Sequence, residues 1–232
     1  MKNCFEPFNR STPRNLPGAC ATVLAAAVTA LLAQPAAAGE ITPPRVPPNI
    51  EVPAGNRAFF EGHGVGTQNY VCTPSASSSS GFAYVLFTPE ATLFDDEEQV
   101  TTHFFSPNPF EENTSAALVA VGPIRATWQH SKDSSTVWGK VRPRDPAIPG
   151  DLGDSSSDPA FVKKGAIAWL KVTVVGAQDG PDGGDSLTRT TFIQRVNTSN
   201  GVAPATGCAS FSDVGNQAFV PYSADYIFYT NQ

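Results

Sequence analysis

Histidines and carboxylates are the side chains that move protons at neutral pH, and here they are scattered. His63, His103 and His130 are the only histidines. Zinc is commonly held by two or three such ligands with carboxylates behind them. None of the three stands in H-x-H or H-E-x-x-H spacing, so a metal site from His63, His103 and His130 would have to be assembled by the fold. A single structural or pocket histidine is the simpler state of each. Glu90 lies in "FTPEATLF", a carboxylate among apolar residues after a proline. It reads as an edge residue paired with a base or, alternatively, as a general acid. With His103 and Asp133 it makes a scattered acid–base set. "DDEE" at 95–98 reads as a solvated hairpin turn, because it lacks the alternating spacing of a calcium loop. No G-x-S-x-G is present to form a nucleophile elbow.

A second chemical feature is the adjacent pair Gln194 and Arg195 in "TFIQRVN". Strand alternation puts Phe192, Gln194 and Val196 on one face, and Thr191, Ile193, Arg195 and Asn197 on the other. Both faces are mixed, so neither polar residue is simply the solvent side. If both faces are covered, each needs a partner, since an unsatisfied buried amide costs about 1–3 kcal/mol and a bare charge more. Gln194 therefore reads as a tether for a neighbouring strand or loop. Arg195 reads as the holder of a carboxylate, with Glu90 and Asp225 the candidates. The competing reading is ligand binding by Gln194, Arg195 and Trp128.

"GHGVGTQNY" (62–70) carries glycines at 62, 64 and 66. A dinucleotide site needs G-x-G-x-x-G opening a helix. Here the third glycine comes one residue early and a strand-like run follows, which predicts a glycine-rich β-corner or bulge. No cofactor is implied.

The elements that must position these residues are short apolar runs rich in aromatic and β-branched residues. They include "RAFFEG" (57–62), "TQNYVC" (67–72), "FAYVLFT" (82–88), "ATLFD" (91–95), "ALVAVG" (117–122), "AFVPY" (218–222) and "DYIFYT" (225–230). Serine-, glycine- and proline-bearing turns separate them. The pattern predicts an all-β fold, an antiparallel sandwich or barrel of about 10–12 short strands. Only Asp158 to Ala168, opening with an aspartate and a proline, could hold a short helix.

Ahead of these runs, Lys2, Arg10 and Arg14 precede the apolar "ATVLAAAVTALLA" and the small-residue "AAAGE". This is the three-part pattern of a signal peptide over 1–38, and the apolar run is too short for a membrane anchor. Residues 39–52 contain "EITPPRVPPNI", whose prolines predict an extended arm that contributes little to the core. Residues 53–232 then form a single β domain. Without the leader, 12 basic residues face 20 acidic ones, a balance that argues against nucleic acid or an anionic membrane as partner. The remaining cysteines, Cys72 and Cys208, lack C-x-x-C spacing, and in an oxidising compartment such a pair forms a disulfide more readily than a redox or metal site.

Longer stretches carry a resemblance. "GVGTQNYVC" (64–72), "FTPEATLFDD" (87–96), "THFF" (102–105), "ATWQHSKDSSTVWGKV" (126–141), the run 166–208 and "VPYSADYIFY" (220–229) are similar to the secreted bacterial and fungal family called domain of unknown function 3455. The resemblance implies a secreted, all-β protein and brings no established activity. Some fungal members are labelled malate dehydrogenase, but this sequence lacks the nucleotide fingerprint such an enzyme needs. Residues 106–125 are an insertion relative to shorter forms of the family.

Three functions fit these residues. The foremost is a secreted or periplasmic binding or interaction module with an unidentified ligand or partner. The second is an extracytoplasmic hydrolase of a carbohydrate or polymer using Glu90, His103 and Asp133. The third is a histidine metalloprotein.

Overall fold

A chain that alternates apolar and polar residues but lacks helix-length periodicity must satisfy its backbone between strands, and closing the sheet removes the edges. The computed structural model does this. It describes residues 40–111, 123–161 and 163–232; the expected signal peptide and the run 117–122 lie outside these. Eight strands, β1 (Asn56–Pro74), β2 (Phe82–Asp95), β3 (Glu98–Pro107), β4 (Ile124–His130), β5 (Thr136–Val141), β6 (Leu170–Gln178), β7 (Phe192–Asn200) and β8 (Gln217–Asn231), follow one another around the barrel. Each pairs antiparallel with the next, and β8 closes onto β1.

The strands are fewer and longer than the sequence pattern suggests, because neighbouring runs fuse. "RAFFEG" and "TQNYVC" become one strand through the glycines, which mark neither a corner nor a bulge: the register runs unbroken from Phe60 to Asn69 on the β8 side. Gly62, Gly64 and Gly66 share one face of β1, and close neighbours fill the space of their missing side chains. A Cβ on Gly64 would stand 2.7 Å from the Tyr226 ring, and one on Gly66 would stand 1.9 Å from the Glu90 carbonyl oxygen. Close approach, rather than a bend, is what these glycines supply. The runs on either side of Pro89 also fuse. Pairing of β2 with β3 ends at Ala91, so the missing N–H of Pro89 costs no ladder bond there. The Thr88 hydroxyl instead accepts the Phe105 N–H at 3.1 Å.

The expected helix over 158–168 does not form among the described residues. A single 3-10 turn, Pro159–Phe161, is followed by Gly165 at φ +78° and an extended Ala166 bridged to Gly201. The bridge draws the chain toward the barrel before a helix could propagate.

Inside, the barrel is divided along its axis. One end is packed with Leu93, Val100, Val137, Leu187 and Phe228, with Phe60 tilted against Phe228 at 5.0 Å. Trp128 and Tyr226 form the midsection. Beyond them Tyr222 and Ala224 are still buried, and a pocket remains between the side chains.

The arm is not peripheral. Val46 and Ile50 are buried against Val196, Ile227 and Tyr229 on the outer wall, with Trp169 and Phe192 alongside. Prolines deny the arm a ladder but not apolar contact, and Asn49 pins it by donating to Asp151 at 2.9 Å and to the Asp154 carbonyl at 2.8 Å. Cys72 and Cys208 are bonded, with Cα atoms 5.5 Å apart, tying the 201–216 segment to β1. No helix among the described residues is long and apolar enough to cross a membrane.

Candidate ligand site

Arg195 follows the wholly buried Ile193 on the inner face of β7. Its guanidinium donates to the Ala168 carbonyl at 2.7 Å, while Nε is buried without a partner. The carboxylate expected beside it is absent. The register sets Arg195 opposite Tyr226, so the inward residues of β8 are Tyr222, Ala224, Tyr226 and Phe228, and Asp225 is turned to the outer wall. There Asp225 accepts from His63 Nδ1 and from the Asn197 amide, each at 2.7 Å. Asn197, at φ +51°, sits where the β7–β8 register slips, which swings its amide outward. Glu90 alternates with the buried Ala91 and is exposed.

Gln194 faces the other way, as its alternation with Arg195 requires. Its amide nitrogen donates to the Ile50 carbonyl at 2.7 Å and its oxygen accepts from the Tyr229 hydroxyl. It tethers the arm and lines none of the described pockets.

Arg195 helps enclose a pocket of about 430 Å³ at the open end of the barrel. Gln68 and Tyr70 from β1, His103 from β3, Trp128 from β4 and Tyr226 from β8 give it a polar wall, and Leu86, Phe105, Leu170 and Val172 an apolar one. Six buried side-chain polar atoms lack a close partner among the described residues; three of them, Gln68 Nε2, Trp128 Nε1 and Arg195 Nε, are on residues of this wall but are closed off from the cavity, with Gln68 beside Tyr222 and Arg195 beside Tyr226. All three are donors.

His103 stacks on Trp128 with ring centres 4.3 Å apart, and its Nδ1 donates to the Thr127 carbonyl at 2.9 Å. That bond fixes the tautomer and leaves Nε2 as an acceptor. Burial lowers its pKa to about 3, with Arg195 adding to the effect and the Thr127 bond opposing it, so the ring is neutral at ordinary pH. Burial also raises the pKa of Tyr226 well above the usual phenol value; Tyr222 reinforces this and Arg195 opposes it. The two tyrosine hydroxyls lie 2.9 Å apart. Tyr222 is likewise raised by burial, although Tyr226, Arg195 and the nearby Gln68 amide pull it down. Tyr70 is already committed, donating to the Gly201 carbonyl at 2.6 Å.

The other candidate residues do not converge. Asp133 sits in the turn after β4, accepting from Ser135 N–H at 2.9 Å, Ser135 Oγ at 2.7 Å and Ser186 N–H at 3.0 Å. Burial by itself would raise its pKa, but these bonds hold it well below the carboxylate range. His130 Nδ1 lies 3.1 Å from the same carboxylate, and its ring packs edge-on to Phe60 near the filled end of the barrel. His63 is outside. No group of three or more histidines, cysteines or carboxylates placed to hold a metal occurs among the described residues. Of the residues singled out from sequence, the pocket gathers His103, Trp128 and Arg195. Gln68, Tyr70 and Tyr226 carried no spacing signal, since only closure of β8 onto β1 sets them beside one another.

A family model described as "Protein of unknown function (DUF3455)" matches residues 53–230. The chain belongs to the DUF3455 family. Comparison with curated proteins and with solved structures found no match. The span shared with DUF3455 contains every pocket-lining residue, while the arm lies before it. The Cys72–Cys208 bond suits this DUF3455 chain to an oxidising, extracytoplasmic compartment.

Proposed function

We propose that this DUF3455 barrel is an exported binding protein for a small molecule held in its open end. The observation that carries the reading is a pocket of about 430 Å³ that encloses a half-buried guanidinium with no described carboxylate paired to it. A cation held partly out of water without a counter-charge favours an occupant that accepts from it. An eight-stranded barrel has room for side chains or for one small ligand, and here the side chains leave a pocket beyond Trp128 and Tyr226. The apolar wall with a few polar groups is the usual make-up of a small-molecule site. The disulfide and the leader-like first residues support export, to the periplasm or the medium.

The test is native mass spectrometry of protein recovered from the exported fraction, compared with Ala126→Trp, which fills the pocket. A co-recovered small molecule in the wild type that is absent from the variant supports the reading. An empty wild type whose melting temperature also fails to rise against a panel of small polar and apolar compounds sinks it.

A further inference from the structure

We propose that the ligand of this pocket is a monocarboxylate with an apolar body, its carboxylate held by Arg195. The proposal rests on the small-molecule reading and names its chemistry.

Charge gives the first argument. Arg195 is the sole cation of the described lining, it is half-buried, and no carboxylate among the described residues pairs with it. A guanidinium taken out of water without a counter-charge is costly, and an anion removes that cost. The one lining carboxylate, Asp154, caps a 3-10 turn by accepting from the Ser156 N–H at 2.8 Å.

Hydrogen-bond inventory gives the second. The Arg195 guanidinium spends one bond on the Ala168 carbonyl and lies beside the Tyr226 hydroxyl, which leaves further N–H donors for the pocket. A carboxylate accepts only, through two oxygens with about four lone-pair sites, and matches a cluster of donors. The neutral imidazole of His103 adds no second positive charge. One cation suits a single negative charge, whereas a phosphate monoester carries about −1.5 to −2 and calls for more.

Shape gives the third. Leu86, Phe105, Leu170 and Val172 offer the rest of the ligand an apolar surface, and Val202 and Ala203 extend it. The volume is about fourteen times the ~30 Å³ share of one water, too large for a bare carboxylate such as acetate. Alkyl and aryl acids share this chemistry, and the probes separate them.

Calorimetric titration would use octanoate and 4-phenylbutyrate, their primary amides, and octyl phosphate. Both a charge-assisted bond and a neutralised cation depend on the carboxylate, so the better-fitting acid is expected to bind about tenfold or more tighter than its amide. Arg195→Met should reduce the acid to the level of the amide, and Arg195→Lys, which keeps the charge, should preserve part of the preference. An amide that binds as well as its acid overturns the carboxylate assignment and leaves the small-molecule reading standing. So does octyl phosphate binding more tightly than octanoate, or a co-recovered ligand without a carboxyl group. If no probe binds and the exported protein carries nothing, both readings fall together.

Discussion

Arg195 is a residue whose sequence neighbours suggest one structural role and whose surroundings give it another. With a buried carboxylate beside it, Arg195→Met would strand a charge and cost about 3–5 kcal/mol. With the Ala168 carbonyl as its close partner and the Tyr226 hydroxyl beside it, the substitution removes bonds to neutral acceptors, each worth about 0.5–1.5 kcal/mol and more for a charged donor, and also removes a cation without a counter-charge. The unfolding midpoint of ligand-free Arg195→Met is therefore expected within about 1 kcal/mol of wild type by denaturant titration; a loss above about 3 kcal/mol would mean that a hidden partner exists. His103 gives a pH dependence of definite sign. Its folded pKa, about 3, lies below the ordinary histidine value, so between these limits the unfolded chain binds more protons than the folded one. Stability contributed by the neutral ring is present above about pH 6.5 and falls as the pH drops toward 3, by up to about 1.4 kcal/mol per pH unit. His103→Gln should flatten that part of the stability–pH profile. An unchanged slope would show that His103 does not titrate in this way.

Among the elements, the arm departs furthest from what its composition suggests. Proline-rich segments cannot join a ladder, which makes them look detachable, yet Ile50 is fully buried and its carbonyl is held by Gln194. Ile50→Ala should cost about 2–5 kcal/mol, the range for emptying a packed aliphatic site. Urea titration of that variant, beside Thr42→Ala on the exposed part of the arm, separates docking from mere attachment. Equal midpoints for the two would show the arm to be loose. The inner face of β1 follows a related logic, in which absence of side chains is the structural content. Gly64 leaves room for the Tyr226 ring, which in turn bounds the pocket, so β1 shapes the site partly through atoms it lacks.

For the whole molecule, closure is the decisive fact. The β1–β8 pairing spans almost the length of both strands and joins the two ends of the domain, so the barrel depends on contacts remote in sequence. The Cys72–Cys208 bond reinforces this closure across 136 residues. In the chain-entropy account a loop of that size is worth up to about 5 kcal/mol. Reduction should thus lower the melting temperature by several degrees or more, measured with and without reductant at constant pH. It should also loosen the segment that carries Val202 and Ala203 at the pocket. An unaltered melting temperature would assign the bond no part in stability.

The alternation of apolar and polar residues, the turn-rich spacing and the two cysteines were enough to specify an all-β, disulfide-bonded domain, because these are local or compositional properties. Strand alternation also separated Gln194 from Arg195 correctly, since that depends only on the period of two. The number of strands was not legible, because glycines and a proline that punctuate isolated segments are absorbed when a neighbouring strand approaches closely or ladder pairing ends. Nor was the partner of Arg195, because which side of β8 faces inward is a matter of register, and register arises from pairing between distant strands. The pocket draws on all eight strands, β1 to β8, whose side chains meet only when the sheet closes. Sequence spacing carries no trace of such a meeting. Closure of the barrel produced it.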